Sequence, residues 1–169
     1  MTDRRPDPKP RKNPQLWQAY LWWNELIEMR KRHMLRLSSI EAGKSNLDPM
    51  LENEIIEWIN FKHPKYGKPI IDKAKEEMIN FGGNVGPVWD WLISIKGLAE
   101  GGLAAMLLAQ IDDISKFDNV SKLWRFSGYG VVNGKAEKNQ KGEKARGNKR
   151  LKTIVYLIGL SFIRQQTPL

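Results

Sequence analysis

Eight cations fall within eighteen residues toward the end of the chain: Lys135, Lys138, Lys141, Lys144, Arg146, Lys149, Arg150 and Lys152. Only Glu137 and Glu143 oppose them. Such a run is suited to neutralising phosphate, because each neutralised phosphate releases a condensed counterion. A second excess lies in residues 1–14, where Arg4, Arg5, Lys9, Arg11 and Lys12 outnumber Asp3 and Asp7. The rest of the 169 residues carry 15 charges of each sign, so the formal +9 is two local surpluses on a neutral body. A solvated, solubilising loop would use the same residue types. Concentration in one stretch points instead to a polyanion.

A glycine turn offers a second kind of anion contact. Lys96-Gly97-Leu98-Ala99-Glu100-Gly101-Gly102 joins two expected helices, Val88 to Ile95 and the strongly apolar Leu103 to Ile111. Helix, glycine hairpin and helix is the pattern of the helix-hairpin-helix module. There, backbone N–H groups donate to phosphate oxygens, and glycine keeps a Cβ from holding the amides away. Gly97, Gly101 and Gly102 are the candidate contacts. Ala99 stands at the usual second glycine unless Gly101 serves through a longer hairpin, and Glu100 adds a negative charge. An ordinary helical packing turn reads the same residues. Downstream, Lys149, Arg150 and Lys152 occupy the first turn of a helix expected from Asn148 to about Gln165, the wrong sign for the helix dipole. An anion docked there would favour that placement.

Other chemistry finds less support. Asp112, Asp113 and Asp118 lie close enough to suggest a metal site, but Asp118 is placed to cap a helix from Asn119 to Phe126 that Gly128 would end. Ser38 to Ser45 ends like a P-loop, yet it lacks the first glycine and follows a helix rather than a strand; a helix end closed by Gly43 explains it. His33 and His63 have no carboxylate at motif spacing, and His33 is expected among basic neighbours on a long helix. With no Cys, disulfides, zinc–thiolate sites and thiol catalysis are excluded. Trp17, Trp22 and Trp23 fit a core stripe; Trp124-Arg125-Phe126 is the better candidate for base stacking, although packing is the more ordinary reading of those residues too. No metal or cofactor is expected.

These residues need helices to position them. Residues 1–13 read as a flexible basic arm. Asn13-Pro14 starts a long helix with a coiled-coil-like seam at Leu16, Tyr20, Trp23, Ile27, Arg30, Met34 and Leu37. Asp48-Pro49 starts a second helix with Leu51, Ile55 and Trp58 on one face. A third begins near Pro69 with Ile71, Ala74, Met78 and Phe81. Gly82 to Pro87 breaks the pattern and divides a helical scaffold, 14–85, from a second part, 86–169. Val131-Val132-Asn133-Gly134-Lys135 predicts a small β-hairpin. The fold class is mainly α: a long helical N-terminal half, then a helix-hairpin-helix-like domain. The longest apolar run, Ile154 to Ile163, is half the roughly 20 residues a membrane span needs. No secretory signal is visible, so a cytoplasmic protein without membrane contact is expected.

From Ile95 to Gly159 the chain resembles the C-terminal domain of the DEDD-type insertion-sequence transposases, the insertion-sequence-110 type that includes the Piv invertases. The landmarks are the glycine hairpin, Leu107-Leu108-Ala109-Gln110-Ile111, Asp113-Ile114-Ser115-Lys116-Phe117, Leu123 to Gly128, Gly134-Lys135 and Gly147-Asn148-Lys149-Arg150-Leu151-Lys152. The first half is similar to the coiled-coil linker preceding that domain. The resemblance implies a DNA-binding portion of a transposase or recombinase acting on mobile-element DNA, with structured RNA as an alternative partner. It implies N-terminal helices that dimerise or dock a larger recombinase. The family's catalytic carboxylates lie in an N-terminal RuvC-like domain for which this chain leaves no room. Its C-terminal serine has no counterpart in Val131 to Lys135, and Ser127 sits one residue before the family's glycine. No catalytic residue is therefore assigned; a recombinase subunit with its own strand-transfer activity is the rival expectation.

Overall fold

The computed structural model of the chain describes residues 11–132, 134–136 and 147–165. Among them the architecture is mainly α-helical and opens on a long helix, α1 (Pro14–Glu41). Proline's fixed φ suits the first helical position, where no amide bond is lost. The Asn13 side chain makes no cap bond; its backbone N–H donates to Asp112 instead. The helix closes at Gly43, φ +67°, as the amides of Gly43 and Lys44 return to the carbonyls of Ile40 and Ser39. The P-loop-like string is a helix end.

Asp48 caps α2 (Pro49–Asn60), its carboxylate accepting from the Met50 amide at 2.8 Å. A short antiparallel ribbon, β1 (Lys62–His63) with β2 (Lys68–Pro69), leads into α3 (Ile70–Gly83). Across the glycine break come α4 (Pro87–Ser94) and α5 (Gly102–Ile111), then a single 3₁₀ turn (Ile114–Lys116) and α6 (Val120–Phe126). The predicted hairpin is present as β3 (Val131–Val132) and β4 (Lys135–Ala136), with Val132 opposite Lys135. Its Asn133 lies outside the described residues. α7 (Lys149–Gln165) follows.

The apolar stripes of these helices meet around α5, which packs against α1, α3, α4 and α7. The main core joins Leu16, Ala19 and Tyr20 of α1 and Met78 of α3 to Trp89, Leu92, Leu98, Ala104, Ala105 and Ala109. It therefore crosses the sequence division at 85/86. Leu26, Ile59, Ile71 and Ala74 form a smaller cluster between α1, α2 and α3. Trp17, Trp22 and Trp23 pack against these clusters, as their helical spacing suggested.

Three local expectations are corrected. In α2, Leu51 and Trp58 face outward at 59 % and 55 % exposure, and the helix buries Glu52 and Ile59 instead. Glu52 can turn inward because His33 and Arg36 of α1 meet it: His33 Nδ1 contacts one carboxylate oxygen and Arg36 lies 3.6 Å from the other. His33 lies among cations on α1 as expected, and Glu52, nineteen positions away, adds a carboxylate partner. Along α1 the predicted seam fails at Met34, which is 55 % exposed, whereas Leu16 and Tyr20 are buried in the main core. The cap of α6 is Asn119, whose side chain accepts from the Lys122 amide at 2.9 Å; Asp118 pairs with the Lys122 ammonium.

Candidate nucleic-acid interface

The basic stretch hangs from a neck. α6 ends in a reversal in which Gly128 has φ +78° and the Tyr129 amide returns to the Trp124 carbonyl at 2.9 Å. The chain comes back at Gly147, φ +79°, against the same reversal: a Cβ on Gly147 would lie 2.6 Å from the Gly128 nitrogen and 2.7 Å from its Cα. One residue on, the Asn148 amide donates to the Phe126 carbonyl at 2.6 Å. Gly147 is needed because two backbones touch, and Gly128 because its φ is positive. Within this closed excursion Lys135 is exposed on β4. Lys138, Lys141, Lys144 and Arg146 lie outside the described residues.

The neck delivers the chain directly into α7. Asn148 Oδ1 accepts from the amides of Arg150 at 3.0 Å and Leu151 at 3.1 Å, satisfying two otherwise unpaired donors of the first turn. Its Nδ2 donates to Oε1 of Gln110, a buried residue of α5, at 2.8 Å. Leu151 and Ile154 are buried, while Lys149, Arg150 and Lys152 stay exposed. Burial raises the pKa of the Tyr20 hydroxyl above the ordinary tyrosine value; the positive charge of Arg150 and hydrogen bonding to Gln110 oppose the rise.

The N-terminal cations arrive at the same place. Arg11 donates to the Ala109 carbonyl at 3.1 Å, with its guanidinium 3.4 Å from the Trp17 ring centre. Lys12 pairs with Asp113 at 3.0 Å, and the Asn13 amide donates to Asp112 at 3.2 Å. Asp112 has φ +62°, the left-handed region, and its strained turn holds both carboxylates at the end of α5. Burial opposes ionisation of Asp112, but Lys116 and the Asn13 amide outweigh it and lower its pKa. The Ser115 hydroxyl, then Lys12, hold Asp113 down at about 2. Arg11 thus touches residue 109 and Asn148 touches residue 110: both basic segments are fastened to consecutive residues of one helix end. Arg4, Arg5 and Lys9 lie outside the described residues.

Of the aspartates that suggested a metal site, Asp112 and Asp113 are these fasteners and Asp118 pairs with Lys122; no metal-ligating group of three or more His, Cys, Asp or Glu occurs among the described residues. Ser127 is buried, and its hydroxyl donates to the Leu123 carbonyl at 2.7 Å.

The glycine hairpin lies elsewhere. Gly97, φ +98°, packs against Phe162 and Ser161 of α7, and its carbonyl accepts from the Ser161 hydroxyl at 2.8 Å. Gly101, φ +75°, faces the Trp89 ring, which also rests on Gly82. The Leu98 and Gly101 amides are engaged within the turn, to the carbonyls of Ile95 and Leu98. Gly101 and Gly102 are buried, although a recess of about 370 Å³ beside the turn is lined by Lys75, Lys96 and Glu100. Ser161 stands twelve residues beyond Lys149, roughly 18 Å along α7 at the helical rise. Among the described residues, the predicted contacts Lys149, Arg150 and Lys152 and the glycine hairpin therefore lie toward opposite ends of that helix.

Sequence reasoning also missed how evenly one region is charged. From Asn119 to the end of the chain eleven Lys and Arg face only Glu137 and Glu143, which equals the whole net charge. Exposed aromatics interleave with them: Trp124, Tyr129 and Tyr156. The signal was present in the sequence, hidden because positions 119–134 hold only two cations and no acid. Compared with known proteins, the chain matches no family model, no curated protein and no solved structure.

Proposed function

We propose that this protein binds DNA through phosphate contacts made at the end of α5, where the two basic segments converge. The observation that supports the reading is the pair of fastenings at Ala109 and Gln110, which tether two basic segments, Arg11–Lys12 and Lys149–Lys152, more than 130 positions apart in sequence, to adjacent residues of one helix. Joined, their fields attract a polyanion more strongly than either does alone. Lys135, Lys149, Arg150 and Lys152 are the main contacts of this reading among the described residues. Arg11 and Lys12 act differently: their charges are partly answered by Asp113 and a helix-end carbonyl, so they anchor the arm more than they bind. The resemblance to DEDD-type insertion-sequence transposases supports a narrower version, in which the chain is the DNA-binding portion of such a recombinase and the DNA is the end of a mobile element.

The test is the salt dependence of duplex binding. Replacing Lys135, Lys149, Arg150 and Lys152 together with Gln should reduce the slope of log K against log salt by about 0.9 for each phosphate that is no longer neutralised. An unchanged slope refutes the assignment of these residues. Competition with structured RNA decides the partner, because tighter RNA binding at equal salt overturns DNA as the ligand.

A further inference from the structure

Resting on that phosphate-binding reading, we infer that Trp124 and Tyr129 form a stacking ridge for unpaired bases, so that this surface takes single-stranded or locally opened nucleic acid. Trp124 is 58 % exposed on α6, immediately before the neck. Trp58 and Trp91 are about as exposed, so exposure alone does not single it out; its place in the stretch from 119 to 136, which has no acid, does. It is not isolated. Trp124 and Tyr129 together border two adjoining recesses, a polar one of about 420 Å³ and an apolar one of about 510 Å³. The polar side carries Lys122 and Asn119; the apolar side is lined by Leu107, Ile111 and Leu151. Trp124, Tyr129 and Val131 line both recesses and so mark the boundary between them, which is the ridge of this proposal.

The ridge is held in place before any ligand arrives. The Tyr129 amide is bonded to the Trp124 carbonyl, and the Tyr129 hydroxyl donates to the Lys152 carbonyl at 3.1 Å, tying the ring to α7. The Lys152 ammonium lies 5.2 Å from the Tyr129 ring centre. A phosphate held by Lys152 would therefore sit within one nucleotide of the ridge, with no acidic residue between positions 119 and 136 to repel it. Duplex DNA cannot stack on such a ridge without first unstacking, because its base faces are covered by neighbouring bases. A strand with free base faces can use both features, and stacking is tolerant of sequence because every base has a π-face. Charge complementarity selects the strand's backbone, and the ridge selects its unpaired state.

The full chain can be tested by anisotropy with three labelled probes: a mixed-sequence single strand, an abasic strand of equal length and charge, and the duplex. The base-bearing strand should bind about tenfold or more tightly than the abasic one. Trp124→Ala should erase that difference while leaving the salt slope of either strand unchanged. Trp124→Phe, which keeps a stacking face and fills the same place, should retain most of the preference and guards against misfolding of the alanine variant. Equal binding of base-bearing and abasic strands, with a normal salt slope, overturns the ridge and leaves the phosphate reading standing. Loss of salt dependence with every probe overturns both.

Discussion

Gly147→Ala tests the neck from which the basic excursion hangs. Two penalties act together. A residue with a Cβ in the left-handed region costs roughly 1–2 kcal/mol, and Gly147 has φ +79°. The new Cβ would also lie 2.6 Å and 2.7 Å from backbone atoms of Gly128 and 3.1 Å from the Arg125 carbonyl oxygen. Backbone cannot swing aside as a side chain can, so overpacking adds about 1–3 kcal/mol. A total near 3 kcal/mol is a large share of the roughly 5–15 kcal/mol that stabilises a typical domain. For a chain of this length it should lower Tm by about 6–12 °C.

Gly43 supplies the control. It has φ +67° but nothing within 4 Å of its would-be Cβ, so Gly43→Ala carries the torsional penalty alone. The difference in Tm between the two variants isolates the contact of the two backbones. If the neck opens without global unfolding, hydrogen exchange will show it instead: the Asn148 amide, bonded to Phe126, should lose protection. Gly147→Ala falling no further than Gly43→Ala, with Asn148 still protected, would refute the neck.

Two further outcomes follow from the same structure. Asp113 is held at about 2, below its ordinary 3.8, so its contribution is complete above about pH 4 and is lost as pH falls toward 2. Asp113→Asn should lower stability at neutral pH and flatten the acid limb of a Tm–pH curve; an acid limb as steep as the parent's would show that the Lys12 and Ser115 contacts contribute nothing. In α2, Leu51→Ser and Trp58→Ser should each change stability by less than about 1 kcal/mol, whereas Ile59→Ala should cost roughly 2–5 kcal/mol. Denaturant melts giving the reverse order would restore the outward face to the core.

Punctuation made most of the fold legible. Pro14, Asp48-Pro49, Pro87 and Asn148 mark helix starts through φ and capping chemistry that act locally, so they are visible in the chain itself. Facing was less legible, since it depends on partners. In α2 the stripes Leu51–Ile55–Trp58 and Glu52–Ile55–Ile59 are both helical, and hydropathy alone chooses the first. The second wins because His33 and Arg36 of α1 make Glu52 acceptable inside, and the His33 contact joins residues nineteen apart that no local pattern links. The candidate site divides the same way. Each basic segment was visible, as was Trp124 beside them. Their meeting on α5 was not, because the Arg11–Ala109 bond spans 98 positions.

That meeting changes what the cations of α7 signify. Three cations in the first turn oppose the dipole by about 0.3–1 kcal/mol each. The start of α7 is nevertheless secured by other means: the Asn148 cap is worth about 1 kcal/mol, and full burial of Leu151 about 2 kcal/mol. Electrostatics is therefore not what holds the helix, and Lys149, Arg150 and Lys152 remain exposed to solvent. An anion bound there removes the repulsion without disturbing cap or core, so binding and stability are coupled with the same sign. Under the proposed function, saturating DNA should raise Tm for the parent protein and raise it less for the Gln-substituted variant. The same residues that cost α7 a little in isolation would then report occupancy of the site.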